Sequence, residues 1–184
     1  MNIRVLNAIS GRLSLRPPQE ESLLALDRAI ESAPDVLKFQ RNVDDLLKIL
    51  STEYPNLTDF EREFPSLCFA LATGVGKTRL MGAFISYLHL AHGIKNFFVL
   101  APNLTIYSKL ITDFTPNTPK YVFKGVAEFA AYPPAIITGD NYEEQGRSLG
   151  DILSPVTVNI FNISKIVSEV RGGKAPRIKR LSEY

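Results

Sequence analysis

The sequence predicts an α/β domain with a mainly parallel sheet flanked by helices. Short apolar runs bounded by turn residues alternate with helical patterns, in the order strand, helix, strand, helix, strand. The first run, residues 66–71 (SLCFAL), enters a glycine turn that opens directly into a helical pattern, so strand and helix are joined by a loop of special backbone. With 184 residues, 45% apolar and 22% charged, the chain has the composition of one soluble globular domain with a real core.

The elements follow in order. Residues 1–14 are mixed, and are expected to be irregular with at most a short strand at residues 3–6. In LRPPQEESLLALDRAIES, Pro17 and Pro18 suit a helix start and Glu20 and Glu21 its first turn. Leu23, Leu24, Leu26 and Ile30 give that helix an apolar side, and Pro34 closes it. NVDDLLKILSTEY reads as a second amphipathic helix that ends before Pro55. Residues 66–71, apolar and bounded by Pro65 and the glycines, read as a buried strand. From Lys77 to His92 the pattern is helical and nearly apolar all round, and Gly93 ends it.

NFFVLA (96–101) is a second buried strand, after which Asn103 can cap a helix running to about Phe114. The proline-rich stretch 115–134 reads as loop, with room for a short strand at 121–123. AIIT (135–138) and VTVNIF (156–161) are strands joined by a polar loop, and Asn162 suits the start of a last helix near 163–170. The organisation expected is an N-terminal helical segment (1–60), a partial nucleotide-binding α/β domain (61–170) and a basic tail (171–184). The tail region holds Lys165, Arg171, Lys174, Arg177, Lys179 and Arg180, which suit either DNA phosphates or a solvated terminus.

Charge and cysteine content narrow the function. A net charge of +2 excludes a strongly basic nucleic-acid coat but not a local patch. Cys68 is the one cysteine, so no disulfide framework or cysteine metal site exists. His89 and His92 lie in a helical pattern with no cysteine or carboxylate beside them, the pattern of core or surface histidines. The first twenty residues lack a signal peptide's apolar run and no stretch reaches membrane-span length, so no membrane partner and a cytoplasmic location are expected.

LATGVGKTRL (71–80) carries the chemistry. A strand that ends in glycines and feeds a helix turns main-chain N–H groups around a concavity, and the helix N-terminus adds partial positive charge. Gly74 and Gly76 allow positive φ and let phosphate oxygens approach the backbone. Lys77 reaches the β- and γ-phosphates as a point charge and is the candidate catalytic residue, while the Thr78 hydroxyl suits Mg²⁺. The candidate ATP-binding set is Thr73, Gly74, Val75, Gly76, Lys77, Thr78 and Arg79, with Gln19. The strict P-loop pattern puts a glycine where Leu71 stands, so the match departs at one place.

Ala-Thr-Gly-x-Gly-Lys-Thr after an apolar residue resembles motif I of superfamily two (DEAD/DEAH-like) helicases and translocases, closest to the form in type III restriction enzyme Res subunits. LRPPQEESLLAL (15–26) resembles the family's Q-motif region, and Gln19, whose amide offers a donor and an acceptor, would there read the adenine edge. FFVLAPNLTIYSKLITDF (97–114) resembles the strand and helix of motif Ia, in which Pro102, Asn103 and Thr105 would face the DNA backbone. VNIFNISKI (158–166) resembles a later strand-to-helix segment. The resemblance covers about residue 12 to the end. It implies a RecA-like P-loop NTPase fold, ATP and Mg²⁺ as cofactors, duplex DNA as partner, and a possible methyltransferase or nuclease subunit.

Hydrolysis in this family uses an Asp-Glu pair at the end of an apolar strand and an arginine from a second RecA-like domain. The sequence contains no Asp-Glu dipeptide. Its nearest imitation, AIITGD, ends at Asp140 with Gly139 intervening, which suits a loop residue or a helix cap better. The expectation is the ATP-binding N-terminal part of a translocase or helicase. Its ATP-dependent hydrolase activity belongs to the complete protein, the sheet here is incomplete, and one sheet edge is unpaired. A small P-loop kinase and a non-catalytic nucleotide-binding protein are the alternatives. About 65 residues before the glycine loop's strand and the lack of an arginine-rich lid segment argue against the kinase.

Overall fold

The computed structural model describes residues 2–37, 42–142, 154 and 156–163. The chain divides into two compact units, Met1–Leu80 and Met81–Tyr184.

The first unit is helical. Helix α1 (Ile3–Leu13) buries Leu6, Ile9 and Leu13, a face recurring every three to four residues. It corrects the expectation of an irregular N-terminus. The β-branched residues and Gly11 lower local helix propensity, but the buried apolar stripe outweighs it. The helix ends at Ser14 in the left-handed region (φ 49), whose N–H returns to Gly11 O. Helix α2 (Pro17–Ser32) starts as the prolines require and packs on α1. Helix α3 (Val43–Glu53) begins at Asn42, whose side chain accepts from the Asp44 N–H at 3.2 Å. Ala29, Ala33, Leu46, Leu50 and Phe60 form the core between α2, α3 and the chain after them. At its margin the Tyr54 hydroxyl donates to Ala25 O at 3.3 Å, and burial, then Glu53, push that phenol's pKa up.

Residues 66–71 form no strand, contrary to expectation. They are half-buried or exposed, with Leu67 and Cys68 among the exposed ones, and they pair with no strand in the described sheet. An apolar run becomes a buried parallel strand only when neighbours bond both its edges, and apolarity alone does not supply them.

The second unit contains most of helix α4 (Lys77–His92), then β1 (Asn96–Ala101), α5 (Leu104–Phe114), the short α6 (Ala127–Ala131), β2 (Ala135–Thr138) and β3 (Thr157–Asn162). The strands form a parallel sheet in the order β1-β3-β2, with Asn96 and Ala135 both opposite Thr157. Helix α5 packs across all three strands. It is capped as expected: Asn103 Oδ1 accepts from the Ile106 N–H at 2.9 Å. No strand forms at 121–123. Those residues turn instead, with the Val122 N–H bonded to Asp113 O, and Phe123 packs edge-on to Phe114 and Phe129. Tyr121 lies beside them with its hydroxyl buried, and that burial pushes its pKa up to about 12. Gly82 lets α4 press against this turn, since a Cβ there would stand 2.8 Å from Val122 O.

The histidines serve packing. His89 Nδ1 bonds to Ile94 O and its ring stacks on Phe129, while His92 Nε2 bonds to the Tyr87 hydroxyl. No helix among the described residues is long and apolar enough to cross a membrane. Residues 164–184, which include the expected last helix beyond Ile163 and the basic tail, lie outside the described residues, as does the loop at 143–151.

Candidate functional site

The glycine loop adopts the backbone that only glycine holds easily. Gly74 has φ +83 and Gly76 φ +93, both in the left-handed half of the map. Helix α4 starts immediately after, at Lys77, and its first turn closes with the Leu80 N–H on Gly76 O at 3.2 Å. The main-chain N–H groups at a helix start point out of its N-terminal end and make that end positive. Thr73, Gly74 and Lys77 are exposed, Val75 and Thr78 half-buried. A Cβ built on Gly74 meets nothing within 4 Å, so the loop's surface there is open to a ligand.

Behind the loop stands the N-terminus of α2. Gln19 is only 1% exposed, and both ends of its amide are in use. Its Oε1 accepts from the Arg16 N–H at 2.8 Å, which caps its own helix from inside. Its Nε2 donates to Gly76 O at 2.9 Å. The Arg16 guanidinium donates to Gly74 O at 3.3 Å, so one helix start holds the carbonyls of both positive-φ glycines. The approach at Gly76 is close, since a Cβ there would sit 2.7 Å from Gln19 Nε2. Arg79, on the other flank, donates to Leu13 O at 2.7 Å, anchoring the first turn of α4 to the end of α1. Sequence reasoning assigned Gln19 to an adenine base and did not foresee this brace. The signal available was a buried polar residue three positions into a helix start, but its partner lies 57 residues away.

The first unit thus brings together Gln19, Thr73, Gly74, Val75, Gly76, Lys77, Thr78 and Arg79. The remaining candidates belong to the second unit. Pro102, Asn103 and Thr105 are all exposed where β1 ends and α5 begins, with the Asn103 carbonyl oxygen committed to the cap. Asp140 is exposed in the turn after β2, where its N–H donates to Thr138 Oγ1 at 3.3 Å. Among the described residues no group of three or more His, Cys, Asp or Glu side chains converges as a metal site.

The glycine loop suits the phosphates of ATP on its own geometry: open space over Gly74, two left-handed glycines, and an exposed lysine at the start of a 16-residue helix. Thr78 brings a half-buried hydroxyl to the first turn of α4, a ligand type that fits Mg²⁺ together with phosphate oxygens, water or a carboxylate.

The family model described as "Type III restriction enzyme, res subunit" matches residues 12–175. The comparisons with curated proteins and with solved structures returned no match. The matched span takes in the glycine loop and the three-stranded parallel sheet, and the family is a DEAD/DEAH-like helicase family of RecA-like P-loop fold. The chain belongs to the type III restriction enzyme res-subunit family.

Proposed function

We propose that this chain is an ATP–Mg²⁺-binding element of a DNA translocase or helicase, with the nucleotide's phosphates in the loop 73–78. The observation that carries the reading is the pair of left-handed glycines, held from behind by Gln19 and Arg16, at the start of a helix led by an exposed lysine. Main-chain N–H groups cradle the phosphates, Lys77 neutralises the β- and γ-phosphates, and the Thr78 hydroxyl joins the shell of Mg²⁺. Bound Mg²⁺ supplies charge neutralisation between the phosphates. Pro102, Asn103 and Thr105 are the proposed DNA-backbone contacts, supported by their exposure and by the resemblance of 97–114 to motif Ia.

Titration calorimetry with ATP–Mg²⁺ tests the cradle. Lys77→Ala removes a charge-assisted contact of roughly 1.5–3 kcal/mol and is expected to weaken binding about 10- to 100-fold. Equal affinities for the two proteins would remove the phosphate assignment.

Gln19 gives a second measurement. An amide has two N–H groups and two lone pairs. One of each is spent on Gly76 and Arg16, and the side chain is only 1% exposed, so an adenine contact would require this amide to open toward the ligand. Gln19→Ala is expected to erase a preference for ATP over GTP and also to weaken inorganic triphosphate about 3- to 10-fold, because the brace on Gly76 carries roughly 0.5–1.5 kcal/mol. Triphosphate affinity unchanged in Gln19→Ala would reduce Gln19 to a base-reading role.

A further inference from the structure

Helix α1 reaches the start of α4 through its last carbonyl. The apolar face of α1, Leu6, Ile9 and Leu13, is buried, so the end of the helix is fixed in place. There the chain closes in a Schellman turn. The Leu15 N–H bonds to Ser10 O at 3.0 Å, the Ser14 N–H bonds to Gly11 O at 3.2 Å, and Ser14 takes φ 49. Leu13 O lies beyond these closing bonds. In a continuing helix it would accept from the N–H four residues on, but residue 17 is proline and has none. The Arg79 guanidinium takes that place, donating to Leu13 O at 2.7 Å from the first turn of α4. A cation suits the position, because the last carbonyls of a helix form its negative end.

The bonds between this corner and the glycine loop run in both directions. Arg16 and Gln19, at the start of α2, donate to Gly74 O and Gly76 O, ahead of Lys77. Arg79 donates back from beyond Lys77 and Thr78. These two residues are therefore anchored on both sides, and all three bonds end in the stretch Leu13–Gln19 that joins α1 to α2. The glycines are tied to α2. The first turn of α4 is tied to α1, through a bond between residues 66 positions apart.

We infer that Arg79 is a positioning residue for the proposed phosphate site, and that α1 acts on that site through it. The inference rests on the ATP reading above and deepens it. Arg79 serves phosphate affinity by fixing the first turn of α4, with Lys77 and Thr78 on it, and not by touching phosphate. Affinity then depends on the closing turn of α1, an element that contributes no residue to the loop.

Calorimetry with inorganic triphosphate and Mg²⁺ on the full chain tests this, with variants at the two ends of the link. Arg79→Ala is expected to bind about 3- to 10-fold more weakly, the loss of one hydrogen bond. Ser14→Val forces a β-branched residue into positive φ, opens the closing turn of α1 and is expected to weaken binding to a similar extent. Ser14→Gly, at ease at that φ, is expected to bind as the wild type does. In the double variant Ser14→Val/Arg79→Ala the two losses should not multiply, because both cut one link. Ser14 and Arg79 are exposed, so neither substitution cuts into the core. Hydrogen exchange without ligand gives a second measurement. Arg79→Ala should speed exchange at residues 11–15 and leave α3 unchanged. A wild-type chain that binds no triphosphate would overturn the phosphate reading itself. With wild-type binding intact, three results would overturn the positioning role alone. Unchanged affinity in Arg79→Ala would reduce the bond to a structural contact, losses that multiply in the double variant would make Arg79 a direct phosphate ligand, and unchanged exchange at residues 11–15 would break the link to α1.

Discussion

Replacing Gly76 with alanine is expected to weaken triphosphate binding by about 30-fold to a few thousand-fold, more than any other single substitution in the loop. Two costs add. An L-residue held at φ +93 pays roughly 1–2 kcal/mol that glycine does not. The new Cβ also stands 2.7 Å from Gln19 Nε2, in an amide that is 1% exposed and bonded at both ends. Moving that amide leaves a buried polar group unsatisfied, about 1–3 kcal/mol. The sum, about 2–5 kcal/mol, falls on the cradle conformation and so on phosphate affinity. Gly74→Ala is the internal control. It shares the left-handed φ, +83, but meets nothing within 4 Å, so only the backbone cost applies and the loss is about 5- to 30-fold. The difference between the two alanines, measured by calorimetry with inorganic triphosphate, reports the Gln19 contact. Gly76→Ala in a Gln19→Ala background should then cost no more than Gly74→Ala does alone. Equal losses for the two single variants would mean that the close approach of Gln19 has no energetic consequence.

The same contact shows where sequence reading succeeds and where it stops. Helices α2 to α5 were legible because their signals are local: Pro17 and Pro18 at a first turn, the amphipathic run before Pro55, Asn103 as a cap, and Gly93 after the last turn of α4. The turn before α4 was legible because Gly74 and Gly76 precede a helical pattern, and both hold positive φ where the helix begins. Residues 1–14 looked mixed, and Ile3, Val5, Asn7 and Gly11 do lower helix propensity, but Leu6, Ile9 and Leu13 recur as one buried face and α1 forms on it. The run 66–71 failed for the opposite reason. Its apolarity is local, while strand formation depends on partners that no local pattern reports. The brace from Gln19 to Gly76, and the cap that Asn141 places on β2, are contacts of the fold, and the sequence carries only the amides that make them.

The 184-residue chain is expected to release no phosphate from ATP above a Lys77→Ala control, with or without duplex DNA. The proposed cradle would contact ground-state phosphates, and contacts that bind ground and transition states alike leave the chemical step no faster. Acceleration comes from groups that act mainly in the transition state, a water-positioning carboxylate and an arginine, and loss of an arginine finger alone costs ~10³–10⁵ in rate. The arginines flanking the loop are already engaged, Arg16 on Gly74 O and Arg79 on Leu13 O, and the sequence has no Asp-Glu pair. The carboxylate that most resembles the missing one, Asp140, is exposed in a turn beyond Gly139, where Asn141 and Thr138 organise the backbone and leave Asp140 facing solvent. A phosphate-release assay at saturating ATP–Mg²⁺ separates the outcomes. Background release in both proteins, alongside calorimetric binding by the wild type, fits a nucleotide-binding element whose chemistry requires groups outside this chain. Robust release that Lys77→Ala abolishes and Asp140→Asn also abolishes would assign the metal chemistry to Asp140 and make the chain a complete ATPase.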